Sequence, residues 1–152
     1  MNVWREVKKC TIRRNPWKRL TKAMKTGNTK EAQMITTRQQ AIDTGLSFPD
    51  TYQDAPFHDD NWQLIRYRWN EKAFLWTYLR NGYVCLNVKA SPDRLYFWRD
   101  RYESVVPGYH QNKEHWNTII LDGSIPDEDI RAMIAESYEA VSDSPTRRIY
   151  EA

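Results

Sequence analysis

With 152 residues, 40% hydrophobic and 28% charged, the chain is sized for one packed domain rather than two. It has no apolar run near the roughly 20 residues of a membrane span, and Met1–Cys10 has no signal-peptide core, which excludes a helical membrane protein and points to the cytoplasm. The net charge of +3 conceals a division: residues 1–33 hold ten Lys/Arg against Glu6 and Glu31, a charge of +8, whereas residues 34–152 hold 13 bases against 18 acids, −5.

The first segment, 1–33, mixes Trp4, Ile12, Trp17 and Leu20 with its bases and is broken at Asn15-Pro16 and Gly27-Asn28. It reads either as a basic arm that orders on nucleic acid, or more plainly as a flexible tail or a stretch upstream of a true start at Met34. The second reading is preferred, because nothing apolar ties the segment down. From Thr36 or Thr37 a capped helix runs through Gln39, Ala41 and Ile42 toward Gly45. Residues 47–61, with Pro49 and Pro56, read as a loop. Three strands follow at 62–69, 73–80 and 83–89, the last two joined by Asn81-Gly82, a type I′ hairpin signal. Ser91-Pro92-Asp93 opens a helix to about Tyr102, with Ser91 as its cap. One or two strands lie within 105–121, the clearest at Asn117–Leu121. After the Asp122-Gly123 turn, Ile130, Met133, Ile134, Ser137 and Val141 mark one face of a final helix. The expected fold is a two-layer α+β sandwich in the order α-β-β-β-α-β-(β)-α, with an antiparallel sheet of about five strands. The domain spans 34–142, and 143–152 is a tail.

The Asn81-Gly82 loop sets the register: Arg80 opposite Tyr83, Tyr78 opposite Cys85, Trp76 opposite Asn87, Phe74 opposite Lys89. One side then collects Leu64, Arg66, Arg68, Phe74, Trp76, Tyr78, Arg80, Tyr83 and Lys89, cations among flat rings with no acid. The other side collects Ile65, Tyr67, Trp69, Ala73, Leu75, Thr77, Leu79, Val84, Leu86 and Val88, which forms the core. Cations track phosphate and rings stack on bases, so the first side has the chemistry of a single-strand platform. The same rings could instead pack beneath a loop, a helix or a second subunit.

Residues 105–123 read VVPGYHQNKEHWNTIILDG. With Pro56-Phe57, Leu86-Asn87-Val88-Lys89, Pro92, Ser137-Tyr138 and Val141, this stretch resembles the MmcQ/YjbR family over about residues 34–142. The resemblance implies an α+β sandwich and a bacterial protein labelled as DNA-binding. Tyr109, His110, Asn112, Lys113, His115 and Asn117 crowd hydrogen-bonding groups onto one connection. They suit either a loop that grips a phosphate or carboxylate, or a loop backbone satisfied against the helices.

Catalytic patterns are missing. The five glycines are scattered, no serine sits in a nucleophile elbow, and His58, His110 and His115 match no metal-ligand spacing. A disulfide framework would show more cysteines than Cys10 and Cys85, at shorter spacings, and Cys85 reads as a packed thiol in a reducing compartment. The expectation is a non-enzymatic domain without cofactor or metal. It would bind DNA or another nucleic acid through Arg66, Arg68, Trp76, Tyr78, Arg80 and Lys89 together with Tyr109, His110, Asn112, Lys113, His115 and Asn117. The alternatives are a protein-interaction or chaperone-like module, as a homodimer or with another protein, and a small-molecule site lined by the His110/His115 region.

Overall fold

The computed structural model describes residues 35–142; the basic extension with Cys10 and the tail at 143–152 lie outside the described residues. Within 35–142 the chain forms α1 (Arg38–Leu46), β1 (Thr51–Asp54), β2 (Gln63–Tyr67), β3 (Ala73–Arg80), β4 (Tyr83–Lys89), α2 (Pro92–Arg101), β5 (Val105–Pro107), β6 (Trp116–Ile120) and α3 (Asp127–Ser142). The strands make one antiparallel sheet in the order β1-β2-β3-β4-β6-β5. This is the expected α+β fold with six strands rather than about five. The extra strand, β1, falls inside the segment whose prolines and acids mark it as loop. Its polar sequence is tolerated at a sheet edge, where pairing from Thr51↔Tyr67 to Asp54↔Leu64 holds it.

Local chemistry accounts for the other boundaries. Thr37 caps α1 in a reciprocal box: its Oγ1 accepts from the Gln40 backbone at 3.2 Å, and Gln40 Oε1 accepts from the Thr37 backbone at 3.0 Å. Asn81 and Gly82 have φ of +54° and +80°, as a type I′ turn requires. Arg80↔Tyr83, Tyr78↔Cys85 and Trp76↔Asn87 pair as the register predicts. Ser91 occupies the N-cap of α2, but its side chain makes no capping bond; Pro92 and Asp93 carry that start.

All three helices pack on one side of the sheet. Ile130, Met133, Ile134 and Val141 of α3 meet Ile65, Leu75, Leu86, Val88 and Ile119, joined by Ala41 and Ile42 of α1 and Trp98 of α2. Burial of this apolar surface, at about 25 cal/mol per Å², is the main stabilising term.

Three side chains lie elsewhere than the alternation predicts. A register shift between Ile65 and Arg66 sets Arg66 opposite Ala73 and turns Phe74 into the helix-side core, edge-on to Phe48 and Tyr138. Phe74 is therefore a core residue and not part of a platform. Strand β2 ends at Tyr67, where Glu71 N–H donates to the Tyr67 carbonyl at 2.8 Å, so Trp69 sits in a turn and is 47% exposed. Leu79, beside the hairpin, is 53% exposed rather than core.

Candidate ligand cleft on the loop side of the sheet

The opposite side of the sheet is covered by two loops, residues 55–62 and the motif loop 108–115. Tyr78, Cys85 and Ile120 form a buried floor, with Trp62, Tyr83, Val106 and Tyr109 packed on it. Trp62 stacks on Tyr78 at 4.4 Å between ring centroids, and Tyr109 tilts over it at 5.7 Å. Tyr78 is 1% exposed. The expected open platform is thus closed at its centre, because covering large rings gains more apolar burial than leaving them in water.

A polar network holds the motif loop down. Asn87 Oδ1 accepts from Tyr78 Oη at 2.8 Å and from Thr118 Oγ1 at 2.7 Å, and Asn87 Nδ2 donates to the Tyr109 carbonyl at 2.8 Å. The Tyr109 N–H donates to Thr118 Oγ1 at 2.8 Å. Every bond is between buried or half-buried groups, so each resists exchange with water. Burial also raises the Tyr78 hydroxyl pKa above the ordinary tyrosine range and pushes the Cys85 thiol up to about 12, which leaves that cysteine protonated and unreactive. Gly108 is required where the loop leaves β5: a Cβ there would lie 2.7 Å from Trp116 Cβ.

The predicted contact residues divide. Arg66 is tied up, with its Nε donating to Asp54 at 2.7 Å and Nη1 to the Glu71 carbonyl at 2.8 Å. Arg68 lies beyond the strand, with Cζ 5.6 Å from the Tyr52 ring centroid. Arg80 lies over the Tyr109 ring at 3.8 Å. Lys89 is half-buried, and its backbone N–H donates to Ser137 Oγ at 2.8 Å. Asn117 is buried on the helix side, accepting from Arg99 Nε at 2.5 Å and donating to the Leu95 carbonyl at 3.1 Å; it fastens α2 to the sheet and is removed from any contact surface. Asn112, Lys113 and His115 are exposed on the motif loop. Asn112 shapes that loop: its carbonyl accepts from the His115 and Trp116 backbone, and its side chain from Glu114 N–H.

Where the two loops meet, Phe57, Asp59, Trp62, Trp76, His110 and Gln111 line a cleft of about 390 Å³, within the roughly 300–1,000 Å³ of small-ligand sites. Its rings are mutually supported. Phe57 and Trp76 lie 6.0 Å apart and tilted by 33°, and Trp62 stands almost perpendicular to Trp76 at 6.0 Å. Phe57 is 48% exposed. His110 sits at the rim in the left-handed region, φ +58°, against Tyr109 at 4.0 Å. That conformation costs a non-glycine residue about 1–3 kcal/mol and is concentrated at functional sites. The buried Trp76 Nε1–H has no acceptor among the described residues, an omission that costs about 1–3 kcal/mol.

Sequence reasoning identified Trp76 and His110 and missed Phe57, Asp59, Trp62 and Gln111. The available signal was two large rings, Phe57 and Trp62, in an acidic, otherwise polar connection. Arg99, buried with its pKa lowered to about 10 by burial, was also missed. Its position four residues after Leu95 puts it on the packed face of α2, where an arginine is unusual. Among the described residues no three His, Cys, Asp or Glu side chains are grouped to hold a metal ion, and no helix is long and apolar enough to cross a membrane.

The YjbR family model matches residues 46–140, which include both loops and the cleft. An Escherichia coli K12 protein, YjbR, described as uncharacterized, is 30% identical over 82 residues, covering 54% of this chain and 69% of that protein. Uncharacterized YyaQ of Bacillus subtilis is 39% identical over 56 residues, 35% of this chain and 44% of its own length. Among solved structures, Deinococcus radiodurans DR2400, with a DUF419 domain, superposes with a TM-score of 0.67 at 26% identity over 76% of this chain and 88% of that one. A Pseudomonas syringae protein superposes with a TM-score of 0.61 at 25% identity over 68% and 97% of the two chains.

Proposed function

The chain belongs to the YjbR family, and on that premise we propose that it is a non-enzymatic domain that binds single-stranded nucleic acid by taking one unstacked base into the aromatic cleft. The observation that carries this reading is the cleft itself, where Phe57, Trp76 and Trp62 offer ring surface beside a half-open space. Stacking a base on such rings contributes about 1–3 kcal/mol. A full sandwich between Phe57 and Trp76 needs two stacking distances, about 7 Å, so the exposed Phe57 must move by about 1 Å. A base also brings ring nitrogens and carbonyl oxygens that Trp76 Nε1 lacks as partners.

Charge argues for single strands over duplex. Residues 34–152 carry −5, and Arg66 and three other arginines are engaged with carboxylates. Phosphate neutralisation then falls to the +8 of residues 1–33 and to exposed cations such as Arg68. Such a ligand implies a cytoplasmic protein, in keeping with Cys85 as a buried free thiol.

Fluorescence anisotropy of the full chain with single-stranded and duplex DNA, across a salt series, tests the reading. Single strands should bind more tightly, and Phe57→Ala should weaken them roughly 5- to 100-fold without changing the salt slope. Equal binding of duplex, or a Phe57→Ala variant that binds like the parent, would overturn it. A protein-interaction reading is favoured by the exposure of Phe57, Trp69 and Leu79, apolar side chains that a second chain could cover. A concentration-dependent mass in size exclusion, with no nucleic-acid binding, would replace base capture with that reading.

A further inference from the structure

The motif loop borders a second concavity. His110 and Gln111 belong to the aromatic cleft, whereas Lys113, Glu114 and His115, with Tyr96 and Arg99 of α2, line a depression of about 230 Å³. That is small for a drug-sized molecule and suits a compact oxyanion. Its walls are held in place. Arg99 is 7% exposed, and its Nη2 donates to the Lys113 carbonyl at 2.6 Å and the Trp116 carbonyl at 3.2 Å, fixing the guanidinium plane. The Arg99 guanidinium also lies 5.4 Å from the Tyr96 ring centroid. Lys113 Nζ donates to the Gly108 carbonyl at 3.1 Å, which keeps the ammonium against the loop. The His115 carbonyl accepts from Ala90 N–H at 3.1 Å, pinning the loop to the start of α2.

We propose that this concavity is a phosphate site, with the Lys113 ammonium and the His115 ring as donors to a phosphoryl group and the buried Arg99 guanidinium as a fixed positive charge behind them. The Arg99 Nε–H and Nη2–H groups are already given to Asn117 and to the Lys113 and Trp116 carbonyls, so the guanidinium acts through its charge, while the Lys113 ammonium gives one of its three hydrogens to Gly108 and contacts the anion directly. Glu114 is the one acid in the lining and opposes the anion. In a domain of net charge −5, anion uptake here depends on this local arrangement and not on the surrounding field. The site shares no lining residue with the aromatic cleft, so the two proposals stand or fall separately.

The test is a ¹H–¹⁵N NMR titration of the full chain with inorganic phosphate at constant ionic strength, using chloride as the control. Saturable shifts are expected at the Lys113, Glu114 and His115 amides. Lys113→Ala should weaken binding about five-fold, and Glu114→Gln should tighten it by about two-fold or more. Arg99→Lys is avoided as the primary variant, because Arg99 also anchors the loop and α2. A 5′-phosphorylated dinucleotide binding more tightly than its unphosphorylated form identifies a terminal monoester as ligand; equal binding, with the same residues shifting, identifies the internal diester. Shifts that chloride reproduces, or that Lys113→Ala leaves unchanged, would overturn the phosphate site even if single-strand capture in the cleft persists.

Discussion

On the helix side of the sheet, Leu75, Leu86 and Ile119 meet Met133 and Ile134, and none of these is more than 2% exposed. On the loop side, Trp62 lies on Tyr78, Tyr109 lies beside it, and Asn87 ties Tyr78, Thr118 and the Tyr109 carbonyl together. Helices present continuous apolar faces and close their side of the sheet. Loops lack such a face, so rings and a buried amide must fasten them at a few points, and between those points space is left. The concavity at Phe57, Trp62 and Trp76 follows from how that side is covered. The proposed binding surface lies where the cover is made of loops.

The largest effect should come from the helix side. Phe74→Ala removes a fully buried ring packed between Phe48 and Tyr138 and should cost about 3–5 kcal/mol in urea unfolding. Exchange protection should fall throughout the domain, because that core is shared by all three helices.

Asn87→Ala should cost less, about 2–3 kcal/mol, by leaving Tyr78 Oη and the Tyr109 carbonyl without their partner. The distinguishing result lies in its location. Amide exchange should accelerate at Tyr109 and in the motif loop before it does so in α3. Uniform acceleration would show that the two sides are not separable.

The smallest effect concerns Cys85 and vanishes at neutral pH. The folded thiol is pushed up to about 12, whereas an unfolded thiol titrates near its ordinary value of about 8.5. Between these values the unfolded chain loses a proton that the folded chain keeps, so stability must fall as pH rises through that window. Urea midpoints measured at pH 7 and again near pH 10.5 should therefore converge between the parent and Cys85→Ala. A constant difference would show that the thiol is not buried in the manner described.

Much of the fold was legible because its signals are local. Asn81-Gly82 fixed a hairpin and three cross-strand pairs, Thr36 or Thr37 marked the cap of α1, and the spacing from Ile130 to Val141 gave α3 its buried face. What escaped depends on distant partners. The shift between Ile65 and Arg66 that turns Phe74 inward is decided by pairing with β3, and β1 is a strand only because β2 lies beside it. The same limit governs the site. Alternation placed Trp76 and Tyr78 on the correct side of the sheet, yet it carried no information that Trp62, from another loop, would lie on one and leave the other at the edge of a cleft. Asn117 shows the opposite error: a polar residue in a dense motif looked like a contact and instead holds a helix.

The central claim, that ligand is taken on the loop-covered side, can be read directly from the tryptophan indoles. In ¹H–¹⁵N spectra of the full chain titrated with a single-stranded oligonucleotide, the Trp62 and Trp76 indole signals should shift saturably while Trp98, in the helix-side core, stays in place. A shift confined to Trp98, or binding that moves neither Trp62 nor Trp76, would contradict the account.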